Sequence, residues 1–282
     1  MKDSNKVRVQ CVECRQAVKD FQWMDFSRIA GSVEAWRAAF PLARAVNVSD
    51  RSDIVDADFV HIRGDARVRL HTVLMHFCLN VTDAALVHLR GIHTLGMCFC
   101  HQETITDAAF VHLRGIHTLK MIKCNQITIT DAAFQHLRGI HTLYMNACNQ
   151  ATITDAAFVN LRGINTLDMS ACNQETITDA AFVNLRGIHS LGMRVCTQMT
   201  ITPLAFAHLA EIVKLDCLKC RRDIRIVASK LLGEAYESES DVEPESDSDS
   251  DASAEFEDEG GEEEEGHGVE EDGIDDEDDE NI

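Results

Sequence analysis

The chain has 282 residues, with 47 acidic side chains against 26 Lys and Arg, for a formal net charge of −21. The charge is segregated, because residues 234–282 contain 26 acidic residues and no Lys or Arg, which leaves residues 1–233 with a net charge of +5. No apolar run is long enough to span a bilayer, and the polar start, Met1–Gln10, does not resemble a secretory signal. Eleven cysteines in such a chain favour a reducing compartment. We therefore expect a cytoplasmic or nuclear protein, or one found in both, with no membrane partner.

Residues 1–42 precede a run of repeats and are predicted to be helical. Apolar side chains between residues 17 and 40 have the spacing of buried helix faces. One interpretation is a cap that shields the apolar core of the first repeat. Cys11 and Cys14 have the spacing of zinc ligands, but no second Cys or His pair follows in a suitable pattern, and we predict no metal.

Residues 43–233 are built from a repeated unit, mostly 24 residues long. Its aspartate recurs at Asp83, Asp107, Asp131, Asp155 and Asp179, Pro203 takes the sixth place, and a looser copy begins at Asp56. We count eight strand units. One such unit cannot bury its apolar face alone, whereas stacked copies bury it continuously. The fold class is therefore predicted to be α/β, as a solenoid that ends in a C-terminal cap at residue 233.

Each unit is predicted to contain a strand, a loop, a short helix and a second loop. The alternation of Leu119 and Met121 is the period of a strand with one buried face. Thr130 is expected to cap the following helix, with Asp131 in its positively polarised first turn. Gly139 is suited to a left-handed position at the helix C-terminus.

The pattern L-x-x-L-x-L-x-x-C followed by I-T-D-x-x-F-x-x-L resembles the cysteine-containing leucine-rich repeat over about residues 43–220. The sequence departs from that pattern by a Met in the third leucine position and by a slightly short unit. The resemblance implies an arc with parallel strands on its concave face and short helices on its convex face. This subtype is best known from the substrate-binding halves of F-box proteins, which deliver substrates to ubiquitin ligases.

The segment Arg28–Phe40 is similar to the last helix of an F-box. In that interpretation Trp36 and Arg37 contact a Skp-type linker protein. The opening Leu-Pro of an F-box is absent from the sequence. Residues 1–42 are therefore either a degenerate F-box-like region or only a cap.

Cysteine, histidine and arginine recur at fixed repeat positions. Side chains stacked in parallel do not converge on a metal ion, so the cysteines are predicted to form a buried ladder in which each thiol donates to a loop carbonyl. They are Cys78, Cys100, Cys124, Cys148, Cys172, Cys196 and Cys220. Asn replaces His in some copies, which favours a hydrogen-bonding role for the histidines over chemistry on the imidazole. The arginines, Arg90, Arg114, Arg138, Arg162 and Arg186, are expected to lie beside the aspartates as solvated charges.

A binding surface is predicted on the concave face, at the strand positions that vary between otherwise similar copies. The predicted binding residues are Lys120, Ile122, Tyr144, Asn146, Asp168, Ser170, Arg194 and Asp216. Tyr and Arg are frequent interface anchors. Identical repeated residues are a poor way to build one asymmetric active site, so we expect a non-enzymatic protein without a cofactor that binds a protein partner.

The C-terminal segment 234–282 has too few apolar residues to offset the entropy of ordering it, and is predicted to be a disordered acidic tail. A leucine-rich-repeat body followed by such a tail is similar in plan to the acidic leucine-rich nuclear phosphoproteins. That likeness implies a second function, the binding of histones or other basic proteins. Nucleic acid is not expected as a partner, because the tail competes for any basic patch.

Overall fold

A computed structural model of the chain describes residue 24, residues 26–63 and residues 70–233. Its internal contacts divide the chain into Met1–Glu237 and Ser238–Ile282, and the described residues all belong to the first unit. Cys11, Cys14 and residues 234–282 lie outside the described part, so what was expected of them stays a prediction.

Eight strands of three residues each form one parallel sheet in sequence order. They are β1 Ala45–Asn47, β2 Thr72–Leu74, β3 Thr94–Gly96, β4 Thr118–Lys120, β5 Thr142–Tyr144, β6 Thr166–Asp168, β7 Ser190–Gly192 and β8 Lys214–Asp216. Equivalent repeat positions pair across the sheet, as Leu95 with Leu119. The predicted solenoid of eight strand units is confirmed.

Short helices link successive strands on the other side of the core. Among the described residues, the α-helices are α1 Val33–Ala39, α2 Asp58–Arg63, α3 Asp83–Leu86, α4 Asp107–Phe110, α5 Asp131–Phe134, α6 Asp155–Phe158, α7 Asp179–Phe182 and α8 Arg222–Leu232. Turns of 3₁₀-helix follow at Val87–Leu89, Val111–Leu113, Gln135–Leu137, Val159–Leu161 and Val183–Leu185, and Pro203–His208 forms one in the seventh unit. Thr130 caps α5 by accepting from the Ala132 N–H at 3.1 Å, and Gly139 has φ +81°, both as predicted.

The core is one continuous apolar column, to which each coil adds the same side chains. Leu119, Met121 and Phe134 are fully buried. The Cys148 thiol donates to the Met121 carbonyl at 2.9 Å, and equivalent bonds recur from Cys78 to Cys220, so the predicted cysteine ladder is confirmed. Burial raises the pKa of Cys148 to about 12, as expected of a thiol used for packing.

The arginine row has other partners than the sequence suggests. Arg90 Nε donates to His112 Nδ1 at 3.1 Å, and Arg138 Nε donates to Asn160 Oδ1 at 2.9 Å. The arginines are exposed to solvent as expected, and each one also reaches a His or Asn acceptor on the next coil. Imidazole and carboxamide both supply that acceptor, which explains why His and Asn interchange there.

The N-terminal region is less helical than predicted. Only α1 is helical between residues 26 and 42, and it begins after Gly31, at φ +76°, and Ser32, whose hydroxyl accepts from the Ala35 N–H. Residues 26–32 are not helical, because the segment pairs with the outer edge of β1, where the Ile29 N–H donates to the Asn47 carbonyl at 2.8 Å. Residues 17–23 are outside the described range.

The C-terminal cap has the form that the sequence predicts. Helix α8 buries Ile224 and Ala228 against the last coil and ends at Gly233 in a left-handed conformation, φ +71°. Within residues 24, 26–63 and 70–233, no helix is long and apolar enough to cross a membrane.

Candidate binding surface

The candidate surface is the face of the sheet turned away from the helices, which we call the concave face. Its side chains come from the strand positions between the buried leucines and methionines. The parallel register places Lys120 beside Tyr144, Tyr144 beside Asp168 and, across Gly192, Asp168 in line with Asp216. Four of the predicted residues, with Gly192 between the last two, therefore form one row that crosses five strands.

The C-terminal half of the concave face is a connected polar network. Arg194 Nε lies 2.7 Å from Asp216 Oδ2. The Arg194 N–H donates to Ser170 Oγ at 3.0 Å, and that hydroxyl donates to Asp168 Oδ1 at 2.6 Å. A Cβ at Gly192 would lie 2.5 Å from the same Asp168 oxygen, so glycine is what leaves room for this carboxylate. The four predicted residues of this half thus lie together and serve as one another's hydrogen-bond or ion-pair partners.

Side chains in the central part of the concave face make fewer hydrogen bonds to one another. Lys120 Nζ lies 5.6 Å from the centroid of the Tyr144 ring, in a cation–π arrangement. Ile122 and Asn146 follow on the same two coils and are half-buried. The Asn146 side-chain oxygen is buried and, within the described residues, has no hydrogen-bond partner. An unpaired buried acceptor is costly and is available to a ligand donor.

At the N-terminal end of the concave face lies His76, which is not among the predicted binding residues. Its Nδ1 accepts from the Cys98 N–H at 2.9 Å, and Gly96 leaves room for the ring, since a Cβ there would lie 2.6 Å from Cε1. Burial, followed by the charge of Lys120, lowers the pKa of His76. The ring is thus held neutral as an acceptor for a backbone amide.

A second row, which sequence reasoning missed, lies at the rim where the chain leaves each strand. All its members have φ between 54° and 61° and are therefore left-handed without being glycine: Asp50, Phe77, Phe99, Lys123, Ala147, Ala171, Val195 and Lys219. The rings of Phe77 and Phe99 stack at 4.3 Å, and Lys123 Nζ lies 5.1 Å from the Phe99 centroid. The residue type at this rim position varies from copy to copy, as it does at the strand positions. That variation could have identified the row from the sequence.

The two residues assigned to an F-box contact lie in the N-terminal cap. Arg37 is buried, and its guanidinium donates to the carbonyls of Ala43, His61 and Ile62, which fixes α1 against α2. Burial lowers the pKa of Arg37 to about 10. Trp36 is half-buried and packs against Phe40 with ring centroids 5.7 Å apart. Of the pair, Trp36 is the side chain with accessible surface.

No known protein family matches the sequence, and a search of curated proteins finds no match. Solved leucine-rich-repeat structures do match. TLR13 in complex with single-stranded RNA is 18% identical with a TM-score of 0.54, and the match covers 67% of this chain and 26% of TLR13. Human 5T4, also called Wnt-activated inhibitory factor 1 or trophoblast glycoprotein, is 14% identical with a TM-score of 0.52, over 67% of this chain and 76% of 5T4. The match thus spans about a quarter of TLR13. Together with the sheet topology, these matches show that the fold is a leucine-rich-repeat solenoid.

Proposed function

We propose that this chain is a non-enzymatic interaction module that binds a protein partner through the concave face. The observation that most strongly supports this proposal is the variation along one row of the concave face. Coils that are nearly identical in their core, caps and turns present an in-register row of unlike side chains, from Lys120 through Tyr144 and Asp168 to Asp216. A parallel sheet built from such coils offers a rigid surface on which side chains can change without disturbing the fold.

Tyr144 and Arg194 are the proposed anchors of this surface. Tyr144 offers a half-buried ring with a hydroxyl, and Arg194 offers an exposed guanidinium already oriented by Asp216. Aromatic and arginine side chains contribute most to protein interfaces because they combine apolar area with directed hydrogen bonds. The Arg194–Asp216 pair limits the entropy lost when a partner binds.

The test is quantitative affinity purification of the full chain with two double variants. Tyr144→Ala with Arg194→Ala removes both anchors, whereas Val159→Ala with Glu211→Ala changes exposed residues outside the concave face. Proteins lost with the first variant and retained with the second are concave-face partners. If both variants retain the same proteins in the same amounts, the concave face is not the binding surface.

Delivery of the bound protein to a ubiquitin ligase is a finer hypothesis and stays a prediction. Because Arg37 is enclosed by carbonyls of the cap, contact with a Skp-type linker would depend on Trp36. Trp36→Ala should then abolish co-purification of the linker and a cullin while the solenoid stays folded. Unchanged recovery of both would exclude an F-box role and leave residues 26–42 as a cap.

The acidic segment 234–282 motivates a second candidate function, the binding of histones or other basic proteins. The supporting observation is its content of 26 acidic residues without Lys or Arg. Removal of residues 237–282 should weaken histone binding, and the difference should shrink as salt is raised. An affinity that is the same with and without the segment would exclude this function.

A further inference from the structure

Two neighbouring features of the concave face and its rim indicate the chemistry of the partner. They are the stacked rings of Phe77 and Phe99 with Lys123 beside them, and the pair formed by Lys120 and Tyr144. We call these five residues the aromatic–lysine patch. They come from four consecutive coils, spaced by about 4.8 Å per strand, so the patch is about 14 Å long.

The backbone at the rim makes large side chains costly there. Phe77 and Phe99 have φ of 56° and 61°, a left-handed conformation that is unfavourable for a bulky residue. Later coils carry Ala147 and Ala171 at the same position, so the fold does not need an aromatic ring there. Phe77 nevertheless keeps 43% of its surface exposed. Two strained, stacked rings, of which Phe77 is exposed and Phe99 half-buried, indicate a role in contact rather than in the core.

Charge distinguishes the patch from the rest of the concave face. Arg194 is paired with Asp216, and Asp168 accepts from Ser170. In the part of the chain that the structure describes, the only partners of the Lys120 and Lys123 ammonium groups are aromatic rings, and both lysines are exposed. A cation above a ring keeps hydrogen-bond donors free for a carboxylate, so the patch has two uncompensated positive charges beside apolar surface.

We propose that the aromatic–lysine patch binds a short, extended, acidic peptide segment of a partner protein, with an apolar side chain on the Phe77–Phe99 stack and carboxylates on Lys120 and Lys123. At about 3.3 Å per residue, four or five extended residues span the patch. This inference rests on the proposed function, because it gives the chemistry of the partner of the same face.

A peptide fits this chemistry better than a nucleic acid. Binding of a phosphate backbone needs many cations in a line. Beyond Lys123 the rim continues with Ala147, Ala171 and Val195, and the strand row beside it carries Asp168 and Asp216. A polyanion that followed the arc would therefore leave the two lysines and meet carboxylates.

The test uses the full-length chain and a fluorescein-labelled peptide of alternating glutamate and phenylalanine, followed by fluorescence anisotropy. Saturable binding is expected, and it should weaken as salt is raised. Lys120→Gln with Lys123→Gln should weaken it about tenfold, and so should Phe77→Asn with Phe99→Asn. Asn tolerates the left-handed conformation, so the second variant keeps the fold.

Matched controls come from the same rim position. Lys219→Gln repeats the charge change at φ 58°, and Val195→Asn repeats the change to Asn at φ 60°, in both cases outside the patch. Both should leave the affinity unchanged. A peptide with glutamine in place of glutamate should bind about tenfold more weakly, and one with lysine should not bind.

Several results would overturn the inference: no saturable binding by the wild-type chain, equal losses in the patch and control variants, or tighter binding of oligothymidylate than of the peptide through the same residues. Its failure is distinguishable from failure of the proposed function. If the peptide does not bind but partners still depend on Tyr144 and Arg194, the concave face is the binding surface and only the assigned chemistry is wrong.

Discussion

The carboxylate of Asp107 holds Thr130 of the next coil by two hydrogen bonds. Its Oδ1 accepts from the Thr130 N–H and its Oδ2 accepts from the Thr130 hydroxyl, both at 2.7 Å. The same hydroxyl accepts from the Ala132 N–H, so one threonine caps its own helix and ties it to the preceding one. Six aspartates, from Asp56 to Asp179, repeat this arrangement along the solenoid.

Removing one of these carboxylates from the middle of the stack should destabilise it strongly. Asp131→Ala leaves the Thr154 amide without its charged acceptor, and hydrogen bonds to charged groups contribute about 1.5–3 kcal/mol each. We expect the free energy of unfolding in urea to fall by about 2–4 kcal/mol. Glu175→Ala, at an exposed position, is the control, and an equal loss there would contradict this role for Asp131.

The rim conformation offers a way to stabilise the chain. Val195 is β-branched, has φ 60° and is 42% exposed, whereas Asn adopts this conformation readily. Val195→Asn should raise the free energy of unfolding by about 1 kcal/mol. Val159→Asn is the matched control, because Val159 is similarly exposed but has φ −56°. A gain of the same size in the control would show that strain is not the cause.

Stability should depend on pH through a column of stacked imidazoles. Successive rings of His71, His93, His117 and His141 lie 4.3–4.4 Å apart. Burial, followed by neighbouring positive charge, lowers the pKa of His71, His93 and His117 from the usual 6.5. Below about pH 6.5 the unfolded chain therefore binds more protons at these histidines than the folded one, so their contribution to stability is complete above that pH and is lost as the pH falls.

Thermal unfolding across a pH series measures this effect. His93→Asn with His117→Asn should flatten the loss of Tm below about pH 6.5, since Asn165 occupies the same position in another coil. His189→Asn, which follows Asn165 rather than a histidine ring, should leave the profile as it is. A wild-type Tm that is independent of pH between neutral and mildly acidic conditions would contradict the prediction.

The thiols of the cysteine ladder should be unreactive toward alkylating reagents in the folded protein. Cys100 and Cys148 are fully buried, and burial raises the pKa of both to about 12, so almost no thiolate forms at neutral pH. Iodoacetamide should label these two residues in denaturant and not under native conditions, as measured by peptide mass spectrometry. Native labelling at the rate of a free thiol would show that the coils open locally.

Much of the fold could be predicted from a single unit, because the relevant forces act within about a turn of chain. The alternation at Leu119 and Met121, the Thr130 cap and the left-handed Gly139 are local features, and all three are found as expected. The helix predicted over residues 17–40 was too long, because the pairing of Ile29 with Asn47 on β1 outweighs helical spacing. The candidate site was predicted less completely, since His76, Phe77 and Phe99 were not selected.

The sequence by itself determined the repeat, its strand and helix positions, the apolar column and the segregation of acidic charge into residues 234–282. Only the tertiary structure decided which side chains meet across coils: Asp107 with Thr130, Arg138 with Asn160, Arg194 with Asp216 and Phe77 with Phe99. The physical reason is that the members of each pair are 22 or 23 residues apart in the chain. Their contact depends on the rise from one coil to the next, about 4.8 Å, which no single repeat specifies.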